Sequence, residues 1–328
     1  MNGRAVLKDM LLVGLVLGAS APAAAESWPG RPVTMVVPLG AGSGLDVLGR
    51  VLAPRLGEIL GQQVIVENVA GAGGMIGAAR VAKAAPDGYQ FLLGTVGTHA
   101  QNQTLYKNPQ YNAATDFAPV ALIAEQPTVL IARRAFPASG LQDFIAYARA
   151  NQDKMKYGSA GSGSAAHLAC ALLNAAIGLD VTHVPYRSGG PAMQDLIAGL
   201  IDYQCPAVTI ALPQIEGNLV KPIATLAKNR SPSLPKLASA HEQGLAGFDT
   251  GIWYAIFLPK GTPTAIVQKL NDAVVATLNT AAVQERLTDI GAAAVAPERR
   301  SPEYLAAFVA SEIAKWAAPI KAAGISVQ

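Results

Sequence analysis

Apolar residues along this chain follow two rhythms that alternate from one end to the other. Short runs, rich in β-branched side chains and apolar at successive positions, recur at 32–38 (PVTMVVP), 62–68 (QQVIVEN), 89–95 (YQFLLGT), 119–125 (PVALIAE) and 127–133 (PTVLIAR). Further runs lie at 181–186 (VTHVPY), 201–207 (IDYQCPA), 221–227 (KPIATLA) and 251–259 (GIWYAIFLP). Runs of this length predict strands, many of them covered on both faces. Between several of them the apolar spacing changes to three and four. Leu45, Leu48, Leu52, Leu56 and Ile59 share one face of a predicted helix. Thr262 with Pro263, and Ser301 with Pro302, mark two later helix starts, each a capping hydroxyl followed by proline at the first helical position. Strand–helix alternation of this kind predicts α/β architecture with mainly parallel sheets flanked by helices.

Some nine strands in 328 residues are more than one sheet of this type needs. The pattern predicts two lobes. The first is discontinuous, 26–127 plus 251–328, and the second is continuous, 128–250, with crossings near AEQPTV and GFDTGIW. No internal repeat, low-complexity tract or long linker stands out. Residues 1–25 read as a secretory leader. Arg4 and Lys8 precede an apolar run from Met10 to about Gly18, and a small-residue patch ends at Ala23-Ala24-Ala25, which places cleavage after Ala25. That run is shorter than the roughly 20 residues a membrane span requires. The expected product is an exported, soluble, periplasmic protein.

Composition narrows the function. Charged residues make up 14% of the chain and hydrophobic ones 51%, with a net charge of +3 and no basic run, which argues against disorder and against a nucleic-acid face. Export makes the two cysteines, Cys170 and Cys205, a candidate disulfide. A core of this size does not require one, and spacing alone supports bridged and free thiols equally.

Four Gly/Ser-rich loops follow strands: Gly40–Asp46, Gly94–His99, Gly158–Ser164 and Pro185–Gly190. The first, third and fourth run directly into predicted helices. Unpaired amides at a helix start carry partial positive charge and hold anions without a cationic side chain, and serine or threonine adds hydroxyl donors. Glycine before a helix also makes ordinary turns, and Ser43 with Asp46 three residues on resembles a capping box that stabilises only its own helix. Repetition of such loops in both lobes favours a shared cleft. Enzyme signatures fail. Leu45 stands where a dinucleotide fingerprint needs its third glycine, no Gly-Lys-Ser/Thr occurs, and no serine has glycines two before and two after it. His99, His167, His183 and His241 have no metal spacing. His99 and His167, beside glycine loops, are candidates to line the cleft. His183 reads as structural, and Trp253 and Tyr186 as core residues or cleft walls. No metal and no cofactor is expected.

Several longer stretches match a known family in order: WPGRPVTMVVPLGAGSGLD, VIVENVAGAGGMIGAARVAKAAPDGYQFLLGTVGTHA, KYGSAGSGSAAHLA, HVPYRSGGPAMQDLIAGLID and LPKGTPTAIVQKLN. Over essentially the whole mature chain the sequence resembles the tripartite tricarboxylate transporter receptors, also called Bug-type periplasmic solute-binding proteins. The resemblance implies a two-lobed, Venus-flytrap (type II) fold that closes on a small carboxylate-bearing anion and is presented, as a monomer, to a membrane permease. It implies ligand contacts from Gly42, Ser43, Gly44 and Asp46, from Thr95, Thr98 and His99, and from Ser159, Ser162, Gly163 and Ser164, with His167, Tyr186 and Pro206 beside them. The sequence departs from the family pattern at Leu39, Ala41 and Ser43 in the opening loop. It departs again at Pro206, where relatives often carry an acid. Two other outputs stay open on sequence alone: an exported enzyme with His99 or His167 as base, and a ligand sensor for a kinase.

Overall fold

The structure, a computed structural model, describes residues 28–327, so the leader expected at 1–25 and its cleavage site lie outside the described residues. The first group of elements is β1 (Val33–Val37), α1 (Gly44–Leu60), β2 (Val64–Asn68), α2 (Met75–Ala82), β3 (Gln90–Thr95), α3 (Asn102–Leu105) and β4 (Phe117–Gln126). The second is β5 (Val129–Arg133), α4 (Leu141–Asn151), β6 (Lys156–Ser159), α5 (Ala165–Ile177), β7 (Thr182–Pro185), α6 (Gly189–Ala198), β8 (Tyr203–Gln204), α7 (Val208–Glu216) and β9 (Val220–Thr225). The chain ends with β10 (Ile252–Pro259), α8 (Thr264–Leu278), α9 (Ala281–Asp289), β11 (Ala293–Ala294) and α10 (Pro302–Ala322).

Two sheets result, ordered β11-β4-β10-β3-β1-β2 and β7-β6-β8-β5-β9. Setting β11 aside, both follow one plan. From the edge inward, each lobe's second, first and third strands are followed by an inserted strand and then the fourth. The inserted strands, β10 and β5, are the ones that each crossing delivers. They enter against the direction of their neighbours, so β10 pairs antiparallel with β3 and β4, and β5 with β8 and β9. The remaining pairs, β1 with β2 and β3, and β6 with β7 and β8, are parallel as the alternation predicts.

Three details differ from the sequence reading. Lys156–Ser159 is a strand, so Gly158 and Ser159 belong to β6 and not to the loop after it. Lys-Tyr-Gly-Ser has no β-branched run, and two parallel neighbours hold it extended. The expected strand at 201–207 is only two residues long, because beyond Gln204 the chain turns into α7. Pro263, not Thr262, occupies the cap position of α8, while the Thr262 hydroxyl donates 2.8 Å back to the Pro259 carbonyl. Ser301 caps α10 as expected, accepting from the Tyr304 amide.

Burial follows the periodicities. Leu45, Leu48, Leu52 and Leu56 of α1 are buried against the first sheet, each worth about 1.5–3 kcal/mol. The second sheet separates two smaller clusters. Leu130 and Ala132 of β5 face one, and Val129 and Ile131 the other, as strand alternation requires. Cys170 on α5 and Cys205 after β8 are disulfide-bonded, with Cα atoms 5.4 Å apart. The bridge ties the helix behind one cleft loop to the segment carrying another.

Candidate functional site

The first helix of each lobe begins with the same turn. In Gly42-Ser43-Gly44-Leu45-Asp46, Ser43 caps α1 and its Oγ accepts from the Asp46 amide at 3.2 Å. In Gly163-Ser164-Ala165-Ala166-His167, Ser164 caps α5 and its Oγ accepts from the His167 amide, also at 3.2 Å. The cap dihedrals nearly coincide, −73°/157° and −70°/155°. In both, the preceding glycine lies at positive φ and its amide donates to the side chain four residues on. Gly42 N–H reaches Asp46 Oδ2 at 3.0 Å, and Gly163 N–H reaches His167 Nδ1 at 3.2 Å. Local bonding therefore consumes the third helical amide and the glycine amide. The first two helical amides, Gly44 and Leu45 in one lobe and Ala165 and Ala166 in the other, begin helices and have no intrahelical acceptor.

These four residues border one cavity of about 60 Å³ between the lobes, a few water molecules' worth of space. Ser43, Thr95, Thr98 and Ser164 add hydroxyls to its wall. Leu39, Pro206, Ala207, Ile210, Ile252 and Tyr254 supply its apolar surface. Thr95 ends β3, and Thr98 lies in the π-helical turn Gly97–Gln101 that follows. At the hinge, Gln126 links the lobes: its side-chain amide donates to Tyr254 and its carbonyl accepts from Thr209. The crossing strands are joined by the Thr128 and Thr250 hydroxyls, 2.6 Å apart.

The lobes also touch at the cleft mouth. Tyr106 Oη donates to the Ser162 carbonyl at 2.9 Å, and Ser188 Oγ to the Ala41 carbonyl at 3.5 Å. Gly73, at φ +59°, packs so closely on Gly163 that a Cβ there would lie 2.4 Å from the Gly163 carbonyl carbon. Only glycine fits that approach. Loss of solvent raises the Tyr106 hydroxyl pKa to about 12, so it remains a donor.

Among the residues singled out from sequence, Ser43, Gly44, Thr95, Thr98, Ser164 and Pro206 line this cavity. The others stand outside its lining and act through it or elsewhere. Gly42 and Gly163 shape the twin turns. Asp46 is buried with its carboxylate engaged by the Gly42 amide and Arg50. Burial alone would raise its pKa, but hydrogen bonds from Arg50, the Gly42 amide and Asn68 overcome that and hold it below the usual carboxylate range. Ser159 bonds His183 Nε2 at 2.7 Å and the Gly161 amide at 3.2 Å, bracing its loop from behind. Ser162 offers its carbonyl to the other lobe. Tyr186 donates to the Asp195 carboxylate at 2.6 Å.

Neither candidate base lines the cavity. His99 is fully buried and stacked on Phe257 at 3.7 Å, and burial pushes its pKa down to about 3. His167 stacks on His183 at 4.1 Å with Nδ1 occupied by Gly163. Burial and the neighbouring imidazole lower it to about 3 as well. Both rings are neutral and packed inside their lobes, His167 accepting from the Gly163 amide and His99 bonded through Nδ1 to the Thr98 hydroxyl at 2.9 Å. Trp253 is core, its indole N–H on the buried Glu312 carboxylate at 2.9 Å.

Sequence reading missed Gly73, Ile210, Ile252 and Tyr254. Gly73 sits in a run, AGAGG, whose abundance of glycine signalled a close approach without saying to what. Ile252 and Tyr254 alternate with Trp253 along β10, but periodicity alone could not choose which face met the cleft. The twin turns escaped because only two of their five residues are identical.

A family model described as the tripartite tricarboxylate transporter family receptor matches residues 48–325. An Agrobacterium vitis protein, known as the UPF0065 protein in the TAR-I ttuE-ttuC' intergenic region, is 38% identical over 99% of this chain and 92% of its own length. The solved periplasmic binding protein BugD superposes with a TM-score of 0.89 at 39% identity, covering 92% of this chain and all of its own. MatC of Rhodopseudomonas palustris, solved with bound malate, superposes with a TM-score of 0.87 at 40% identity, covering 89% and 100%. The chain belongs to the tripartite tricarboxylate transporter receptor family.

Proposed function

We propose that this receptor captures a small organic carboxylate in the cleft between its lobes, in the periplasm, and delivers it unaltered to a membrane permease of the tripartite tricarboxylate type. The observation that carries this reading is the pair of matching capped helix starts, one from each lobe, bordering one cavity. Such helix starts stabilise negative charge, and each hydrogen bond to a charged group contributes about 1.5–3 kcal/mol. The malate held by MatC supports carboxylates as the ligand class.

Mechanism follows from which residues sit on which body. The moving bodies are residues 26–127 with 251–328, and residues 128–250. When they separate, a carboxylate meets one helix start and water. When they close, it meets both, and the Tyr106–Ser162 and Ser188–Ala41 contacts form around it. Ligand therefore shifts the population toward the closed state in proportion to its extra contacts there. The closed, monomeric form, its leader removed after Ala25, is the one the permease recognises.

A thermal-shift screen of organic acids tests the reading. At least one carboxylate at 100 times its Kd should add about 2.7 kcal/mol of stability, and mass spectrometry should recover it unchanged after prolonged incubation. A screen in which no carboxylate raises the melting temperature would overturn it, and turnover of the bound acid would replace a receptor by an enzyme.

A further inference from the structure

The glycines of the two lobes fall into two classes. Gly42, Gly61 and Gly178 lie at positive φ with nothing within 4 Å of the place a Cβ would take, so the backbone turn alone calls for them. Gly40 and Gly73 meet the opposite lobe. A Cβ on Gly40 would lie 2.9 Å from Ser188 Cβ and 3.2 Å from the Arg187 carbonyl oxygen. One on Gly73 would lie 2.5 Å from the Ser162 carbonyl oxygen and strike the Gly163 carbonyl carbon. Gly40 is not at positive φ, so no left-handed turn explains its missing side chain. Two looser contacts of the same kind lie nearby, Gly97 toward the Ala165 amide at 3.4 Å and Gly44 toward Ala207 Cβ at 3.5 Å. The tight pair flanks the cavity: Leu39 and Gly189, each next in sequence to a residue of the first contact, line it, and so does Gly73. All of this backbone is braced from behind. The Ser43 amide donates to the Gly40 carbonyl at 3.2 Å, the Gly74 amide to the Gly71 carbonyl at 3.0 Å, and the Gly163 amide to His167. A side chain pressed by an approaching lobe can change rotamer, whereas braced backbone passes the strain to its whole lobe.

We propose that Gly40 and Gly73 are the seat on which the second lobe stops when the receptor closes. They are positioning residues. Where their main chain meets Arg187–Ser188 and Ser162–Gly163, the two capped helix starts stand at one fixed separation, which a single carboxylate bridges. The inference rests on the receptor reading and adds to it what sets the closed geometry: the protein's own backbone, not the solute. A methyl group at either position holds the lobes apart, and a carboxylate then reaches one helix start only. Gly40 separates closure from direct contact, because it stands outside the cavity lining and the nearest atoms its methyl would meet all belong to the other lobe.

Calorimetry and small-angle scattering on the mature chain test this, with malate, succinate, citrate and acetate as probes. For each acid that binds the wild type, Gly40→Ala should raise Kd at least about tenfold, the loss of one hydrogen bond to a charged group. The compaction that the acid produces in the wild type should shrink with it. Ser188→Gly removes the Cβ that the new methyl strikes, so the double variant should bind within about threefold of Ser188→Gly alone, as relief of a direct clash requires. Gly73→Ala should lose at least as much as Gly40→Ala. Gly61→Ala adds a methyl at φ +73° facing nothing; it pays the same backbone strain as Gly73→Ala and should bind as the wild type does. An unchanged Kd in Gly40→Ala overturns the inference, as does a loss that Ser188→Gly fails to restore, or a weakened variant that still compacts fully. If neither these acids nor any other carboxylate binds the wild-type chain, the receptor reading itself has failed and takes this inference with it.

Discussion

The two lobes share one strand order and one helix-start turn, yet they are held together differently. The first has a single continuous apolar cluster that spans its sheet, α1, α8 and α10 and reaches Leu168, Leu172 and Ala207 of the second lobe. In the second, the sheet divides the apolar residues into two smaller clusters, and a disulfide crosses one of them. The contrast extends to the turns. The first lobe's glycine amide is held by a carboxylate that is charged at any neutral pH and anchored by Arg50. The second lobe's is held by a neutral imidazole stacked on another. The same cavity-facing geometry thus stands on two kinds of support.

Several measurements would break or sharpen that contrast. The largest effect should come from the disulfide. Replacing Cys170 and Cys205 together by serine should cost about 2–4 kcal/mol, and hydrogen exchange should place the loss in the second lobe while the first keeps its protection. Equal loss in both lobes would mean that they unfold as one unit. Next come the caps. Ser43→Ala and Ser164→Ala should each weaken carboxylate binding by about 1.5–3 kcal/mol and lower stability by about 1 kcal/mol. Similar penalties would support equivalent roles. A variant of either kind with unchanged Kd would remove that lobe's turn from the site.

The pH response is smaller per unit and of definite sign. His99 binds its proton near pH 6.5 when unfolded but only near 3 when folded. The unfolded chain therefore holds more protons between those values. Stability is fully present above about pH 6.5 and falls as pH drops, by about 1.4 kcal/mol per unit for this one group. His99→Phe should flatten the slope of denaturation midpoint against pH by that amount, and an unaltered slope would mean that the ring is solvated. The smallest effect belongs to the mouth of the cleft. Tyr106→Phe removes one lobe-to-lobe hydrogen bond, worth about 0.5–1.5 kcal/mol, so Kd should rise a few-fold with no change in melting temperature of the unliganded form.

Much of this was legible before the structure. Apolar runs located nine of the strands, and the leucine spacing of α1 named its buried face. Gly/Ser loops before helices marked the two helix starts that border the cavity between the lobes. Other features depend on contacts between distant residues, which periodicity does not encode. The β6 strand carries no intrinsic extended preference and exists because β7 and β8 flank it. His99 and His167 look like cleft residues because they follow glycine loops, but each ring turns into its lobe, toward Phe257 in one case and His183 in the other. Asp46 could have faced either way, and Arg50, one helical turn along, decides the matter. Conversely, Gly73 is a contact between lobes that only the packed structure reveals.

The paired threonines at the crossing carry a last implication. The inner lobe leaves and rejoins the outer one at points a single hydroxyl contact apart, and everything between is one unbroken length of chain. It is in effect a cassette. Transplanting it between relatives would exchange half the surface a solute sees in one recombination event, with only two strands to splice. New preferences would then arise by shuffling halves, each half already carrying a capped helix start at the shared cavity.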